Sequence, residues 1–310
     1  MSEASAHKLS YSVETTRGTT NGSPVFTRLP DTRTSVALVK DTLATERLTG
    51  NRFPAAPRTG ASTVAGDIPV DLSFGTYNPF IESALQGSFV PFIGTDPGVC
   101  KAGNTRKSFS ILREFSDISA DQFLLYTGCE VSTWTLTAAA NGLAKSTFTI
   151  LGRSAAAPAT ADPATSYVAA STKEPFDTFS GQMKIDSVAS CIVTDYTINV
   201  NNGLEAKYAV GCEGSQDPSV SQSVVDGSLT VYLEDMTLYK KFINDTSMAL
   251  SLRLLDSGGD YTTIEIPNAV ISSGTQPDVT GDGAIMLPIS FTAHYDSTLG
   301  SHISVTSDAP

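Results

Sequence analysis

GDIPVDLSFGTYNPFIESAL runs from Gly66 to Leu85, and GSLTVYLEDMTLYKKFINDT runs from Gly227 to Thr246. Each opens on a glycine and places three apolar residues at alternate positions: Ile68, Val70 and Leu72 in the first, Leu229, Val231 and Leu233 in the second. That spacing predicts a half-buried strand, because successive side chains of an extended chain point to opposite faces. A short amphipathic segment follows both times. In the first passage Asn78 is a candidate cap and Pro79 fits the first helical position. Phe80, Ile81, Ala84 and Leu85 share a face, and Gly87 marks the stop. LYKKFI repeats TYNPFI in the second passage.

Outward from these passages the parallel continues. Upstream of the first, SVALVKDTL alternates from Ser35 and predicts a strand, followed by a long loop (46–63) with Pro, Gly and three Arg. Downstream, KSFSILREF (Lys107–Phe115) and the stretch Phe123–Gly152 read as strands, with Asn141-Gly142 as a hairpin turn. Around the second passage, Ser190–Val200 is a strand and Asn202-Gly203 a turn. MALSLRLLD stands where KSFSILREF stood, and IEIPNAVI and MLPISFTAHY complete the series around a turn at Asp282-Gly283. The same order of elements written twice predicts an internal duplication. The expected organisation is an N-terminal arm (1–32), a first β domain (33–152), an Ala/Pro/Thr-rich linker (153–175) and a second β domain (176–310), each domain flanked by one short helix.

The bulk numbers fit a mainly β chain with a substantial core: 310 residues, 40% hydrophobic and 17% charged. The net charge of -12 is uneven. Residues 1–152 hold 13 basic and 13 acidic side chains, whereas 153–310 hold 7 and 19. An acidic chain lacks the phosphate-neutralising surface that nucleic-acid binding requires. The four cysteines (Cys100, Cys129, Cys191, Cys212) have no metal-ligand spacing and read as small buried hydrophobes in a reducing compartment. The first residues contain no apolar core of a secretory signal, and no run of 18 apolar residues occurs, so synthesis and folding in a cytoplasm are expected.

Chemistry-bearing constellations are sparse. His7, His294 and His302 have no partner at ligand spacing. DVTGDG (Asp278–Gly283) lacks the glutamate that a calcium loop needs six residues after its glycine, since position 289 is Ile. No phosphate-binding Gly-Lys-Thr loop, nucleophile elbow or paired-carboxylate motif stands in a recognisable setting. Catalytic, cofactor and metal residues are therefore assigned to none, and the chain is expected not to be an enzyme.

Several stretches together resemble the major tail tube proteins of long, non-contractile-tailed bacteriophages. In the first half these are ETTRGTTNGSPVFTRLPDTRTSVAL, GDIPVDLSFGTYNPFIESALQG, RKSFSILREF and LLYTGCEVSTWTLTAAANG. In the second they are TINVNNGLEAKYAVGC, DGSLTVYLEDMTLYKKFIND and FTAHYD. The resemblance covers about residues 10–296. It implies tandem tail-tube-type β-sandwich domains whose inner sheets join into a ring-shaped barrel. It also implies a structural virion role: stacked rings forming the tail tube through which the genome leaves, assembled in the host bacterial cytoplasm. The implied partners are further copies of the chain, a tape measure protein in the lumen during assembly, and terminator and distal tail proteins at the ends. DNA passes without specific binding, and no membrane is involved.

Two folds per chain favour trimeric, pseudo-hexameric rings, with hexamers as the alternative arrangement; a virion surface-binding or decoration module is the alternative role. Two charge-based expectations follow. The loop 40–62 carries Arg47, Arg52 and Arg58 and is net positive, whereas 204–226 carries Glu213 and Asp217 and is net negative, so these loops are expected to meet between rings. An acidic lumen would let DNA pass, and Asp195, which shares a strand face with Asn199, is the expected lumen-facing carboxylate.

Overall fold

The computed structural model describes residues 3–44, 50, 53, 56–91, 98–212, 214–274 and 284–308. A 3-10 turn (Ala4–Ala6) leads into β1 (His7–Val13), β2 (Val25–Arg28), β3 (Ala37–Leu43) and β4 (Arg58–Asp71). Helix α1 (Asn78–Leu85) is followed by β5 (Val90–Pro91), β6 (Gly98–Lys101), β7 (Phe109–Phe115), β8 (Phe123–Ala139), β9 (Lys145–Gly152), β10 (Ser154–Ala155) and β11 (Ser166–Val168). The second half begins with β12 (Asp177–Ile185), β13 (Val188–Ser190), β14 (Val193–Asn201), β15 (Glu205–Lys207), β16 (Gln216–Ser219) and β17 (Val224–Tyr232). It ends with α2 (Thr237–Ile243), β18 (Met248–Leu255), β19 (Tyr261–Gly274), β20 (Met286–Ala293) and β21 (Ser304–Asp308).

Eight strands form one continuous antiparallel sheet in the order β3, β4, β9, β8, β14, β17, β20, β19. The first four and the last four have the same internal order, and β8 and β14 join the two sets over seven residue pairs, from Asp195–Ala139 to Asn201–Thr133. We call this the joint sheet. Each half adds a flanking sheet. In the first it runs β11, β2, β1, β7, β8, β10, and in the second β13, β12, β18, β19, β21, β6, β5.

Strands β8 and β19 each serve both sheets. Phe123–Cys129 pairs with β7, and Glu130–Thr137 pairs with β9. Likewise Tyr261–Ile266 pairs with β18, and Ala269–Gly274 with β20. The ladders carry an irregularity at matching places, between Val131 and Thr133 in β8 and between Ile271 and Ser273 in β19. A bulge bends a strand, which lets one long strand turn from one layer into the other.

The two opening glycines have one role. A Cβ on Gly66 would stand 2.5 Å from the Ser35 and Val36 backbone, and one on Gly227 would stand 2.2 Å from the Thr197 carbonyl oxygen. Gly66 lets the segment that leads into β3 approach closely, and Gly227 does the same for β14.

Five of the six alternating residues of the two passages are buried: Ile68, Val70, Leu72, Leu229 and Val231 line a core with Trp134, Phe148, Tyr196 and Phe291, whereas Leu233, just past the end of β17, is half-buried against it. Trp134 stacks on Phe148 and donates from Nε1 to the Ser146 hydroxyl at 2.6 Å. The Asn141-Gly142 turn connects β8 to β9, with Asn141 at positive φ. The turn at Asp282-Gly283 lies outside the described residues.

Several details differ from the sequence reading. Tyr77, not Asn78, occupies the N-cap position of α1 and makes no side-chain cap bond; its hydroxyl instead donates to Asp31 at 2.8 Å. Gln86 takes the left-handed terminating conformation, and Gly87 is required for packing, because a Cβ there would stand 2.2 Å from the Lys101 carbonyl oxygen. Residues 1–32, read as an arm, are extended but built into the flanking sheet: β1 pairs with β7 along its whole length, and Leu9, Tyr11 and Phe26 are buried. The stretch 153–175 is laid down on the same sheet through β10 and β11. Cys100 and Cys129 are buried, with burial pushing the Cys100 thiol up to about 12, whereas Cys191 and Cys212 are exposed.

Candidate assembly edges and open sheet face

One face of the joint sheet covers the core and the other is open. On the open face stand Asp67, Pro69 and Asp71 of β4, Lys145, Thr147 and Thr149 of β9, and Thr133, Thr135 and Thr137 of β8. It continues across the joint with Asp195, Thr197, Asn199 and Asn201 of β14, then Asp226, Ser228 and Thr230 of β17 and Ser290 and Thr292 of β20. The alternation that buries Tyr196, Ile198 and Val200 turns Asp195 and Asn199 to this face, and Asp195 is exposed. The surface is carpeted with hydroxyls and amides, and its charged strand residues are mostly carboxylates.

Hydrogen bonds fix these groups across strands. Thr135 donates to the Asn199 side-chain oxygen at 3.2 Å, and Asn199 Nδ2 donates to Asp226 at 3.2 Å, which ties β8, β14 and β17 together across the joint. Thr149 donates to Asp67 at 2.7 Å. These bonds order part of the face, which among the described residues offers no cluster of cationic donors to a phosphate chain.

The joint between the halves is reinforced beyond its ladder. Asn202, buried at the end of β14, donates from Nδ2 to the Ala84 carbonyl of α1 at 2.7 Å and to the Val131 carbonyl at 3.2 Å. The backbone N–H of Ser215 donates to the Ser62 carbonyl at 2.9 Å, so the loop after β14 meets the segment before the Gly66 passage within one chain. Asp217 lies 3.6 Å from the Arg17 guanidinium, which also sits 2.8 Å from buried Glu130. Burial raises the proton affinity of Glu130 against the opposing pull of Arg17 and Arg106. The neighbouring Glu14 carboxylate accepts from the backbone N–H groups of Gly18 and Gly128 and from the hydroxyls of Ser108 and Ser110.

The expected inter-ring residues are thus partly placed. Asp217 has an ionic partner in its own chain, and Arg58 is exposed at the start of β4, opposite Leu43. Arg47, Arg52 and Glu213 lie outside the described residues. The reading from sequence missed Asn202, Glu14 and Arg17. In the sequence Asn202 reads as half of an Asn-Gly turn, and nothing local shows that its amide reaches a helix 118 residues away.

Two strand edges of the joint sheet have a ladder on one side only among the described residues: β3, which pairs with β4, and the part of β19 from Val270 to Gly274, which pairs with β20. Val39 on β3 is 48% exposed. The two helices differ accordingly. α1 lies by the internal joint, against β8, β14 and β6, whereas α2 lies by the open edge, against β19. Ile81 of α1 is 2% exposed, while Ile243, the matching residue of α2, is 61% exposed.

A family model describing phage tail tube proteins matches residues 4–293. The chain belongs to the phage tail tube protein family. The match takes in the joint sheet and the segment between the halves, and every strand of the flanking sheets except β21. The role is structural, in a phage tail. No curated protein matches the chain. Among the described residues no helix is long and apolar enough to cross a membrane, and no group of three or more metal-ligating side chains is gathered.

Proposed function

We propose that this tail tube protein polymerises into stacked trimeric rings whose joint sheets enclose the channel for the phage genome. The observation that carries this reading is the joint sheet itself: one four-strand order used twice, fused edge to edge, with an edge left over at each end. Unpaired edges invite pairing with another chain, and a ring removes them altogether. Size supports three copies. Three joint sheets supply about 24 strands, which at ~4.8 Å spacing make a ring roughly 37 Å across at the backbone, wide enough for a nucleic-acid duplex. Six copies joined the same way would double that width, beyond what one duplex needs. Each chain then contributes both tandem domains to the barrel, which is the pseudo-hexameric arrangement.

The open face, with its hydroxyls and carboxylates, would be the lumen, where phosphates are repelled rather than gripped. A tape measure protein would fill it during assembly in the host cytoplasm, and terminator and distal tail proteins would close the ends. Stacking needs heterologous contacts that repeat without closing. The positive loop 40–62 is the proposed inter-ring element, with Arg58 its described member.

End-on averaging of the purified protein by electron microscopy tests the reading. Hollow threefold rings or tubes are expected. Sixfold rings built from one domain per channel position would overturn the trimer, and a solitary, persistent monomer in the presence of tail initiator would overturn the tube.

A further inference from the structure

The internal joint is a template for the joint between chains. Two independent alignments of the halves supply the translation. Gly66 and Gly227 occupy the same place against β3 and β14, and the ladders around them put Leu38 where Val200 stands and Val39 where Asn201 stands. Phe148 and Ile289 face Ile68 and Leu229, and the matching irregularities in β8 and β19 put Ser273 where Thr133 stands and Gly274 where Trp134 stands. Across the internal joint Asn201 faces Thr133 and Val200 faces Trp134.

We infer that β3 of one chain pairs antiparallel with the end of β19 of the next, in the register that sets Val39 opposite Ser273 and Leu38 opposite Gly274. The inference rests on the ring proposed above and specifies how it closes. The hydrogen-bond phase also transfers. In the internal joint the Asn202 N–H donates to the Ser132 carbonyl, so Asn202 and Ser132 are a hydrogen-bonded pair and Asn201 and Thr133 the adjacent non-hydrogen-bonded one. By the same phase the Leu38 and Lys40 amides point to the neighbouring chain, with Ser272 as the acceptor for Lys40. The Val39 and Ser273 side chains then stand side by side on the open face.

Three features of the free chain fit this partner. Val39 and Ser273 are both exposed, so neither is committed to a contact within the chain. Gly274 replaces the bulky Trp134 of the template, which leaves room beside Leu38. The α2 helix, flanking the open edge, shows Ile243 and Met236 to solvent where α1, flanking the filled edge, is buried. A second copy docked on β19 would lie beside that surface as β14 lies beside α1.

The test is a cysteine pair. Side chains of a non-hydrogen-bonded antiparallel pair have Cα atoms about 4.5 Å apart, within disulfide range. In a background with Cys191 and Cys212 replaced by Ser, the double variant V39C/S273C is assembled and treated with a mild oxidant. The two positions stand on opposite edges of an eight-stranded sheet, roughly 34 Å apart in one chain. A disulfide therefore joins different chains, and a closed trimer with every chain linked to the next is expected on a non-reducing gel. The pair L43C/S273C, about 13 Å out of register along the strand, should stay uncrosslinked. Hydrogen exchange on the unmodified protein gives the same answer without substitutions: the Leu38 and Lys40 amides should slow by about two orders of magnitude or more on assembly. Rings that form with both amides still exchanging fast, or that crosslink through the out-of-register pair, would overturn the register while leaving the tube. Absence of rings under all conditions would overturn the tube reading and the register with it.

Discussion

Gly227 shows how much one missing methyl decides. Its φ is not in the left-handed region, so the demand is for space: a Cβ would meet the Thr197 carbonyl oxygen at 2.2 Å and the Phe291 ring at 2.6 Å. Both neighbours belong to strands in the same sheet and cannot retreat without breaking the β14–β17 or β17–β20 ladder. Gly227→Ala should therefore cost about 2–3 kcal/mol, as overpacking does in a tight core. Urea unfolding of the unassembled chain measures it, with the adjacent open-face change Ser228→Ala as a control expected within about 0.5 kcal/mol of the parent. A neutral Gly227→Ala would mean that β14 and β17 can part freely. The glycine was legible in the sequence as the start of a repeated passage. Its reason was not, because the atoms it makes room for come from strands 30 residues upstream and about twice that downstream.

At the level of elements the alternating strands and both helices could be read directly, since periodicity is a local property. β1 was harder. Leu9, Tyr11 and Val13 alternate with Lys8, Ser10 and Ser12, but the surrounding Ser and Thr make the segment look polar throughout, and Ser10 and Ser12 are themselves buried. β10 and β11 are too short to show any period. What holds this terminal layer is partly ionic. Glu114 of β7 accepts from Lys8 of β1 and Arg28 of β2, both at 3.0 Å, and Arg28 lies over the Tyr167 ring of β11 at 4.0 Å. Burial alone would raise the Glu114 proton affinity, but the two cations outweigh it and hold the carboxyl below the usual glutamate range. A carboxyl depressed in the folded state contributes stability above its unfolded pKa and loses it as the pH falls through the folded value. The chain should therefore weaken on acidification below about pH 4.5. Glu114→Gln should flatten that acid limb and cost about 1 kcal/mol or less at neutral pH, because the pair is partly exposed. Thermal melts of parent and variant across the pH series check both; an unchanged acid limb would remove Glu114 from the account.

For the whole molecule, the decisive feature is which edge meets which, and sequence carries little of it: β8 and β14 pair through backbone groups that every residue has. The repeated order of elements was legible, the joining of the two sets into one sheet was not, and only the joining makes the open face continuous. That face makes the last prediction specific. If it lines the channel, its carboxylates keep DNA moving, and changing their sign should make the tube grip what it now passes. Asp67 and Asp195 stand on the face from different halves, and Asp195 is exposed there without an ionic partner among those described. Replacing both with Lys would place two new cations per chain along the channel in every ring, leaving the β3 and β19 edges untouched. Tubes should form normally and retain a short DNA duplex on co-sedimentation at low salt. The retained fraction should fall steeply as salt rises, with a log–log slope growing by about 0.9 for each phosphate engaged. Parent tubes should retain none at any salt. Variant tubes that assemble and still release DNA would place the open face away from the genome's path, and the channel would then have to be sought on the flanking sheets.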